Sequence, residues 1–484
     1  MITEDFFEMS NKLLVLNHSL RTQFFNQVKN ELQSRSREVY IFYGPKDVND
    51  FFIKNNEVFL PESFKLLNKK IKPEFLKKVQ KLETLYQQSF SRLLLSCERD
   101  IGFHYKSGNY IFPEVMNYKK IKRESFLSSL TNSFELVEQV LKTIEPRVIL
   151  SGSTNTLYHA LFYFLSKKLD IPFYINRRSK IIFDRFYWTK QFNMLNENTK
   201  AFNLNFKPSK FSKEYLKDFK SSQKTVSYIK QRWKSKGNLI GGQFRYLLKL
   251  SVHNFVGILK KKDPKIKFYS RLKYLIIIIM NKFFLKTYFK SYSAQELKCK
   301  KYIYYPLHKE PELALNFHAP HLSDQMELVK FISISIPVGY KLLIKEHIFN
   351  QLRRPKEFYK KLNNFYNVEV ISPLDNQFKY IKNAKVVITD NGTSGWESIL
   401  LNVPMINLSD TFYDLVAKNK IENISKIGSV IHKLIFSKKQ KPTNNEICRL
   451  IDAEKKNSFI HSHKGIVESL KSLLGNNFDL KRKY

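Results

Sequence analysis

The stretch VVITDNGTSGWESILLNVPMINLSDTF, residues 386–412, predicts more about the fold than any other part of the chain. Residues 386–388 form the continuous apolar run expected of a strand that is covered on both faces. Residues 389–394 supply small residues, side-chain caps and the glycine that a tight strand-to-helix turn needs. A helix that begins near Gly395 would direct its free N–H groups and positive dipole end at a phosphate above the turn. Many α/β proteins have such turns without a ligand, so the surrounding pattern must decide.

That pattern is an alternation of strands and helices from residue 301 onward. Apolar periodicity predicts strands at residues 302–305, 340–344, 368–371 and 386–388, and helices at residues 324–336, 355–362 and 374–383. Such alternation is typical of parallel βαβ units with right-handed crossovers. Ligands bind to these sheets at the carboxyl ends of strands, near the point where strand order reverses. Three predicted strands end in polar residues, namely His308, the triplet Lys345, Glu346 and His347, and the turn Asp390, Asn391, Gly392, Thr393 and Ser394.

Three phrases in this region carry a family resemblance. They are YYPLHKEPE at residues 304–312, LSDQMELVKFISISIPVGYKLLIKEH at residues 322–347 and TDNGTSGWESILLNVPMI at residues 389–406. In this order and spacing they resemble bacterial capsule and surface polysaccharide biosynthesis proteins, which are related to transferases that use nucleotide-activated sugars on a two-domain GT-B scaffold. The resemblance covers residues 302–414 well and the N-terminal half weakly. It implies an α/β fold with two Rossmann-like domains that face each other across a cleft, with connecting and C-terminal helices.

Two departures from the family pattern limit what the resemblance implies. Family members commonly have a proline after the Lys-Glu-His triplet, where this chain has Ile348. Relatives that transfer acidic keto sugars often have a Ser-Gln turn before the helix, where this chain has Asp390, Asn391 and Gly392. The resemblance therefore implies a nucleotide-activated sugar as co-substrate, with no other cofactor, and leaves the sugar and the nucleotide open.

Length and composition agree with two domains. A chain of 484 residues is too long for one ordinary core, and its 43% hydrophobic and 14% aromatic residues exclude a disordered protein. We predict an N-terminal Rossmann-like acceptor domain at residues 1–230, a basic helical linker at residues 231–300, and a C-terminal donor domain with terminal helices at residues 301–484.

The N-terminal half contains a second strand-turn-helix pattern. Predicted strands occupy residues 39–43, 148–150 and 172–175, and predicted helices occupy residues 77–97 and 159–169. In a GT-B arrangement the loops after these strands would bind the acceptor. The predicted acceptor-binding residues are Ser151, Ser153, Asn155, Arg177 and Arg178. Arg177, Arg178 and the nearby Lys180 would hold an acidic sugar or a lipid pyrophosphate by charge-assisted bonds; the alternative is a solvated basic loop.

Transfer of a sugar is a displacement at the anomeric carbon, and it makes two chemical demands. The negative charge of the departing nucleotide must be stabilised, and the acceptor hydroxyl must lose its proton. For the first demand the predicted catalytic residues are His308, Lys345 and His347. For the second, Asp100 follows a predicted helix in a charged cluster, where structural ion pairing is the alternative. The competing bases are Glu98 and His159.

The predicted donor site surrounds the turn before the helix. Glu397 would accept hydrogen bonds from sugar hydroxyls, and the turn would hold the diphosphate. The predicted donor-binding residues are Glu346, Thr389, Asp390, Asn391, Gly392, Thr393, Ser394, Gly395 and Glu397. We predict no metal site, because the sequence has no Asp-x-Asp triplet and its close histidine pairs have no cysteines nearby.

The formal charge of +40, from 83 basic and 43 acidic residues, would attract polyanions, anionic membranes and nucleotides. A general compositional bias toward lysine is the alternative explanation. No zinc-finger spacing, basic zipper or RNA-recognition motif is present, so a nucleic-acid partner is not expected. Residues 245–300 are basic and rich in aromatic residues, which predicts either peripheral contact with an anionic membrane or an inter-domain helix with an apolar stripe.

Further features predict a cytoplasmic protein. The three cysteines, Cys97, Cys299 and Cys448, have no paired spacing, which is consistent with a reducing compartment. Residues 1–14 lack the basic region and apolar core of a secretory signal. The longest apolar run, residues 275–280, is far shorter than the roughly 20 residues that span a bilayer.

Three functions remain open on this basis. The preferred one is a glycosyltransferase of capsule or surface-polysaccharide assembly, with a polysaccharide or lipid-linked acceptor as partner. The second is a CDP-alditol phosphotransferase or a nucleotide-sugar epimerase on the same scaffold. The third is a non-catalytic protein that binds polyanions.

Overall fold

The computed structural model describes residues 11–17, 22–35, 37–46, 48–61, 63–87, 89–97, 123–152, 156–192, 206–222, 276, 279–281, 285–309, 315, 319, 322, 324–350, 354, 356–437 and 441–475. This part of the chain contains two β-sheets and the helices that connect their strands. The strands are β1 (Lys12–Leu16), β2 (Glu38–Phe42), β3 (Phe52–Lys54), β4 (Glu57–Phe59), β5 (Val148–Ser151), β6 (Phe173–Arg178), β7 (Arg185–Thr189), β8 (Tyr302–Pro306), β9 (Lys341–Lys345), β10 (Val368–Ile371), β11 (Val386–Thr389), β12 (Met405–Asn407) and β13 (Phe459–Ile460).

The α-helices in the described part connect or follow these strands. They are α1 (Thr22–Ser34), α2 (Pro73–Tyr86), α3 (Phe90–Cys97), α4 (Arg123–Ile144), α5 (Leu157–Lys168), α6 (Lys210–Ser222), α7 (Ala294–Cys299), α8 (Gln325–Ser335), α9 (Lys356–Asn363), α10 (Gln377–Asn383), α11 (Thr393–Leu400), α12 (Ile427–Phe436), α13 (Asn444–Lys456) and α14 (His463–Leu474). The chain divides into two compact units, and the described residues up to 192 and from 453 onward form the first.

The first unit is built on a sheet with the strand order β13-β7-β6-β5-β1-β2-β4-β3. The five strands from β6 to β4 are parallel to their neighbours, and the strands at both edges are antiparallel. From β1 the chain continues to β2 and β4 on one side, and it then returns to β5 and β6 on the other side. Strand order therefore reverses between β1 and β5.

Helix α1 packs on this sheet because its apolar residues recur at helical spacing. Phe24, Phe25, Val28 and Leu32 are buried in one cluster with residues of β1, β2 and β5. Strand β1 itself is buried from Leu13 to Leu16, as expected for a strand covered on both faces.

The C-terminal segment, which the sequence prediction placed with the second domain, belongs to the first unit. Strand β13 pairs with β7, so that Phe459 lies opposite Phe186 and Ile460 opposite Arg185. The Arg185 guanidinium donates to Ser458 Oγ at 2.8 Å, and Trp188 Nε1 donates to Ser469 Oγ at 3.2 Å. These bonds and the buried face of α14 hold the segment on the first sheet.

The second unit, which contains the described residues from 206 to 452, is built on a five-stranded parallel sheet. Its order is β10-β9-β8-β11-β12, and each neighbouring pair is parallel. The chain passes from β8 through β9 to β10 and then returns to β11 beside β8. Strand order in this sheet therefore reverses between β8 and β11.

The predicted fold class is confirmed: the protein is α/β, with two Rossmann-like sheets, connecting helices and C-terminal helices. Strands β8 to β11 lie within one residue of their predicted bounds at each end. Helix α11 begins at Thr393, two residues before the predicted start. The helix predicted at residues 77–97 is two helices, because Gln87 takes a left-handed conformation with φ of 48° and ends α2.

The predicted membrane-facing segment falls largely outside the described residues. Of residues 245–300, the structure describes 276, 279–281 and 285–300. Ile276 and Met280 are about half exposed there, at 51% and 49%. No helix in the described part of the chain is long and apolar enough to cross a membrane.

Candidate functional site

The carboxyl ends of β8 and β11 bring two ionisable side chains together at the reversal point of the second sheet. His308 follows β8 and Asp390 follows β11, and His308 Nε2 lies 3.6 Å from Asp390 Oδ2. The Tyr305 hydroxyl donates to the same Asp390 oxygen at 3.1 Å. Asp390 is fully buried and His308 is 8% exposed. The structure therefore places these two predicted residues where open α/β sheets bind ligands.

Helix α11 starts at this point without a side-chain cap. Its N-cap residue is Gly392, which has no side chain that could bond to the N–H groups of the first turn. By contrast, the neighbouring helices α7, α8 and α10 are capped by Ser293, Asp324 and Asn376. The free N–H groups at the start of a helix, together with its dipole, are suited to an anion.

Hydrogen bonds with nearby side chains hold the backbone of the turn before α11 in place. Thr389 Oγ1 accepts a hydrogen bond from the Gly392 N–H at 3.2 Å, and the Tyr413 hydroxyl donates to the Gly392 carbonyl at 2.9 Å. Ser409 Oγ donates to the Asp390 carbonyl at 2.8 Å. Gly395 is packed so closely that an added Cβ would stand 2.2 Å from the Tyr413 hydroxyl. The turn is therefore a rigid support for whatever binds above it.

A buried polar network fixes the backbone of His308. Gln325 forms a pair of bonds with it, accepting from the His308 N–H at 2.6 Å and donating to its carbonyl at 3.1 Å. Asn350 and Arg354 donate to the same carbonyl at 3.4 Å and 3.3 Å. These three side chains are completely buried.

Glu346, predicted to bind the donor, is instead the partner of Arg354. Both side chains are completely buried, and Arg354 Nε donates to Glu346 Oε2 at 2.8 Å. The Tyr359 hydroxyl donates to the same oxygen at 2.8 Å, and the His347 N–H donates to Oε1 at 2.5 Å. The Glu346 carboxylate is thus occupied by internal bonds that fix the loop after β9. Strand β9 ends at Lys345, so the alternation expected from Lys345 to His347 does not continue as a strand.

Both histidines of the site are neutral at neutral pH. Burial lowers the pKa of His308 to about 4. Burial also lowers the pKa of His347, to about 3, and the positive charges of Lys309, Lys345 and Arg354 add to this effect. The two imidazoles can therefore donate or accept single hydrogen bonds, while positive charge at neutral pH must come from another group.

Lys345 is that cationic group. It is 7% exposed, and its ammonium donates to the Pro373 carbonyl at 3.0 Å. Burial lowers its pKa to about 8. Glu397, in α11, is 4% exposed and interacts electrostatically with Lys345, and burial raises its pKa to about 8. Gln377 Nε2 donates to both Glu397 oxygens, at 2.8 Å and 2.7 Å. The Lys345 ammonium and the Glu397 carboxyl group, which interact with each other, therefore both titrate near neutrality.

The remaining predicted donor residues lie in the same turn. Asn391 and Ser394 are 7% and 6% exposed, and Gly392 and Thr393 are more open. Ser394 Oγ donates to Thr389 Oγ1 at 3.3 Å. The structure therefore gathers the predicted residues of β8, β9 and β11 on one rim of the second sheet.

The first sheet carries the predicted acceptor residues that the structure describes. Ser151 is completely buried at the end of β5. Arg177 is half-buried and donates to the Phe192 carbonyl at 3.1 Å; burial lowers its pKa. Arg178 is exposed and lies over the Phe183 ring. The competing base His159 is buried in α5, with Nδ1 2.7 Å from Thr156 Oγ1. Four predicted residues lie outside the described part of the chain, namely Glu98, Asp100, Ser153 and Asn155.

The sequence prediction missed the residues that position the site. Arg354, Gln325 and Gln377 bond to predicted site residues, yet each occurs in an ordinary helical or loop context. The described residues contain no group of three His, Cys, Asp or Glu side chains that could hold a metal ion.

The chain was compared with protein-family models, curated proteins and solved structures. No protein-family model matches the chain, and no curated protein matches it. Among solved structures, the chain is similar to KpsC from Thermosulfurimonas dismutans, a beta Kdo 2,7 transferase, at 12% identity and a TM-score of 0.31, covering 66% of this chain and 80% of that one.

Two further structures are similar over nearly the whole chain. One is the UDP-GlcNAc 2-epimerase from Neisseria meningitidis, at 13% identity and a TM-score of 0.29, covering 96% of this chain and 100% of that one. The other is the UDP-forming trehalose-phosphate synthase from Burkholderia vietnamiensis, at 7% identity and a TM-score of 0.33, covering 96% and 99%. At these values the likeness does not assign an activity or a site to this chain.

Proposed function

We propose that this protein is a glycosyltransferase that moves a sugar from a nucleotide-activated donor to a capsule or surface polysaccharide, or to a glycolipid acceptor. One observation carries the proposal. The start of α11, which has no N-cap side chain, lies at the reversal point of a parallel sheet next to His308, and Glu397 in the same helix interacts electrostatically with the cationic Lys345. Backbone N–H groups, a helix dipole and an ammonium on one rim of the sheet suit the diphosphate of such a donor.

In the proposed reaction the bond between the anomeric carbon and the diphosphate oxygen breaks, and a bond from the acceptor oxygen to that carbon forms. The electron pair leaves with the nucleotide, and the acceptor proton goes to a base. The start of α11 and Lys345 stabilise the charge that develops on the diphosphate. His308 and His347 act as neutral hydrogen-bond donors, because burial lowers the pKa of both. Asp100 is the proposed base, in the acceptor domain.

The protonation state of Glu397 supports binding of the donor sugar beside this helix. With a pKa raised to about 8, this carboxyl group is largely protonated at pH 7. A protonated carboxyl group both donates and accepts, as sugar hydroxyls require, and it does not repel the diphosphate. We therefore propose that Glu397 contacts the donor sugar as a neutral acid.

Thermal stability in the presence of nucleotides tests the proposal. UDP, CMP and CDP, alone and as activated sugars, are added singly to the full-length chain. We expect one nucleotide to raise the melting temperature, and its activated sugar to be hydrolysed or transferred. If none of these compounds shifts the melting temperature, the enzymatic proposal is wrong and a polyanion-binding role takes its place.

The two other enzymatic functions on this scaffold are separated by their products. A glycosyltransferase releases a nucleotide from UDP-, CMP- or CDP-linked sugars. An alditol phosphotransferase releases CMP from a CDP-alditol, and a 2-epimerase changes the sugar while the nucleotide remains bound to it. We also propose that no metal is required; complete loss of turnover in EDTA, restored by a divalent ion, would contradict this.

Membrane contact through residues 245–300 is part of the proposal, since a lipid-linked acceptor would lie at a membrane surface. The exposed side chains of Ile276, Ile279 and Met280 and the basic composition of the segment support it. Co-sedimentation with anionic liposomes at low salt is expected, and its absence would remove this element of the proposal.

A further inference from the structure

Asn17 occupies the reversal point of the first sheet. It directly follows β1, and β5 lies next to β1 on the other side of the reversal. Its own N–H donates to the Phe42 carbonyl at 2.8 Å, and the Gly152 N–H donates to the carbonyl of the preceding Leu16 at 2.8 Å. The backbone at Asn17 is therefore fixed by β2, and the residue before it is fixed by the chain after β5.

The Asn17 side chain is buried without hydrogen bonds. It is 1% exposed, and neither Oδ1 nor Nδ2 has a hydrogen-bond partner among the residues that the structure describes. Buried polar side chains in native proteins are nearly always bonded, because an unbonded carboxamide loses its bonds to water and gains none in return. A carboxamide kept in such a position therefore needs an explanation other than stability.

The described residues around Asn17 offer no partner for its side chain. Gly152 has no side chain, and a Cβ at that position would stand 2.5 Å from a ring carbon of Phe25. Phe25 and Leu150, which flank this corner of the sheet, are apolar and fully buried. An alternative in which Asn17 simply completes a polar network is thus inconsistent with the contacts around it.

The second sheet has a polar residue in the equivalent topological position. In each sheet, the strand that comes first in the chain lies beside the point where strand order reverses. This strand is β1 in the first sheet and β8 in the second. A buried polar side chain follows each of them within two residues. That side chain is Asn17 in the first sheet and His308 in the second. In open α/β sheets this position faces the ligand crevice.

The chemistry of the side chain indicates the ligand class. A neutral carboxamide donates through Nδ2 and accepts through Oδ1, which matches a hydroxyl group that does both. We infer that Asn17 binds a hydroxyl group of the saccharide acceptor at the reversal point of the first sheet. This inference rests on the proposed function and adds to it a specific acceptor-binding residue that the sequence prediction did not include.

Three variants of the full-length chain test whether Asn17 is a structural residue. Asn17→Leu keeps the branched shape without polar atoms, and Asn17→Ala is the second variant in case the larger side chain does not fit. The control is Asn132→Leu, since Asn132 is buried to a similar degree at 4% exposure but donates to the Lys70 and Ser128 carbonyls at 3.0 Å and 2.8 Å. We expect the urea midpoint of at least one Asn17 variant to equal or exceed that of the unchanged protein, and the midpoint of Asn132→Leu to fall.

Binding is measured on the same proteins with defined probes. The probes are methyl glycosides of glucose, galactose and N-acetylglucosamine, observed by saturation-transfer NMR, and UDP, CMP and CDP, observed by thermal shift. We expect at least one glycoside to give a signal with the unchanged protein and to lose it in Asn17→Leu and Asn17→Ala. The nucleotide shift is expected to remain, because Asn17 is in the other unit of the chain.

The outcomes separate this inference from the proposed function. The inference is wrong if both Asn17 variants lower the urea midpoint as much as Asn132→Leu, if the glycoside signals persist in them, or if none of the glycosides binds to the unchanged protein. A missing nucleotide shift together with glycoside binding that depends on Asn17 would refute the proposed transferase and leave Asn17 as a saccharide-binding residue.

Discussion

Gly392 lies against the imidazole of His308, so that a Cβ added to Gly392 would stand 3.4 Å from His308 Cε1. The same Cβ would stand 2.9 Å from Thr389 Oγ1, which is completely buried. The backbone of Gly392 has a φ of −76°, which any residue adopts. The need for glycine at this turn therefore comes from the close approach of the Thr389 hydroxyl within the turn itself.

Gly392→Ala is expected to weaken nucleotide binding because the added methyl group displaces Thr389 or the turn. Overpacking of this kind costs about 1–3 kcal/mol of unfolding free energy. Because the start of α11 moves, we expect the affinity for the nucleotide that binds, such as UDP, to fall at least about tenfold. Isothermal titration calorimetry measures this change. The control is Gly428→Ala in α12, where the nearest atoms to the new Cβ, those of Ser335, lie at an ordinary contact distance of 3.6 Å. Equal affinity in the two variants would contradict the role assigned to the turn.

Nucleotide affinity is expected to decrease as pH rises through about 8. Below this value Lys345 carries its ammonium charge, and above it the charge is lost because burial lowers its pKa to about 8. Phosphate groups have their last ionisation near pH 6, so above pH 7 the charge of the nucleotide stays constant. Lys345→Met removes one charge-assisted bond and is expected to reduce affinity at pH 7 by about 1.5–3 kcal/mol. Titration calorimetry from pH 7 to pH 9 checks both effects.

Glu397→Gln separates the two groups that titrate in this range. Glu397 becomes a carboxylate near pH 8 and then repels the diphosphate, so it contributes to the same decrease. In Glu397→Gln the decrease should become shallower but persist, whereas in Lys345→Met only the contribution of Glu397 should remain. An unchanged pH profile in Lys345→Met would show that its ammonium does not contact the nucleotide.

The strands of the second sheet were predictable because their information is local. A strand covered on both faces is a run of apolar residues, and the runs in β8, β9 and β11 are bounded by polar residues or proline. The polar residues after β8 and β11 were predictable for the same reason, since strand ends of a parallel sheet share one rim.

The first sheet was less predictable from the sequence. Its central strand β1 was not predicted, because KLLVL is a short run near the N-terminus with no helix pattern before it. Strand β13 has only two residues, and its place in the sheet depends on Phe186 and Arg185, more than 270 residues earlier. Information of this kind is tertiary, and no local periodicity contains it.

The buried polar network that supports the candidate site could not be predicted from the sequence for a related reason. Glu346 was predicted to bind the donor because it lies between Lys345 and His347. Its actual partners, Arg354 and Tyr359, become neighbours only when the loop after β9 folds back. A sequence pattern shows which residues are near a strand end, but it does not show which of them face the ligand and which face the core.

The buried pair of Arg354 and Glu346 is expected to be among the most sensitive positions for stability. Both side chains are completely inaccessible, and removal of one partner leaves an unpaired buried charge. We expect Arg354→Met to lower the unfolding free energy by about 3–5 kcal/mol, measured by urea denaturation. The control is Glu327→Gln, whose exposed partner Lys330 lies 3.7 Å away, and its effect should stay within about 0.5 kcal/mol.

The double variant Arg354→Met with Glu346→Gln tests whether the pair acts as a unit. Because both charges are gone, its loss of stability should be smaller than the sum of the two single losses. In the double variant the His308 carbonyl still lacks the hydrogen bond that Arg354 donates to it. Nucleotide affinity should therefore remain reduced even where stability recovers. Additive losses of stability would show that the two side chains do not depend on each other.

Acid is expected to destabilise the second unit partly through His308. In the unfolded chain this group has its ordinary pKa of 6.5, and in the folded protein burial lowers the pKa to about 4. Between these values the unfolded state binds more protons, so stability is complete above pH 6.5 and decreases as pH falls toward 4. The whole effect of this one group is about 3 kcal/mol.

Glu397 changes stability with pH in the opposite direction to His308. The effect of His308 must therefore be obtained by comparing the unchanged protein with a variant that lacks the histidine. The pKa of Glu397 is raised from 4.5 to about 8, and its contribution to stability therefore increases as pH falls through that range. Urea denaturation of the unchanged protein and of His308→Gln at a series of pH values isolates the histidine, because Glu397 is common to both. As pH falls from 6.5 to 4, the unchanged protein should lose the stability that depends on a neutral His308, whereas His308→Gln should not. The unfolding free energy of the unchanged protein should therefore decrease relative to that of His308→Gln. A difference that stays constant over this range would mean that His308 is not held neutral beside Asp390.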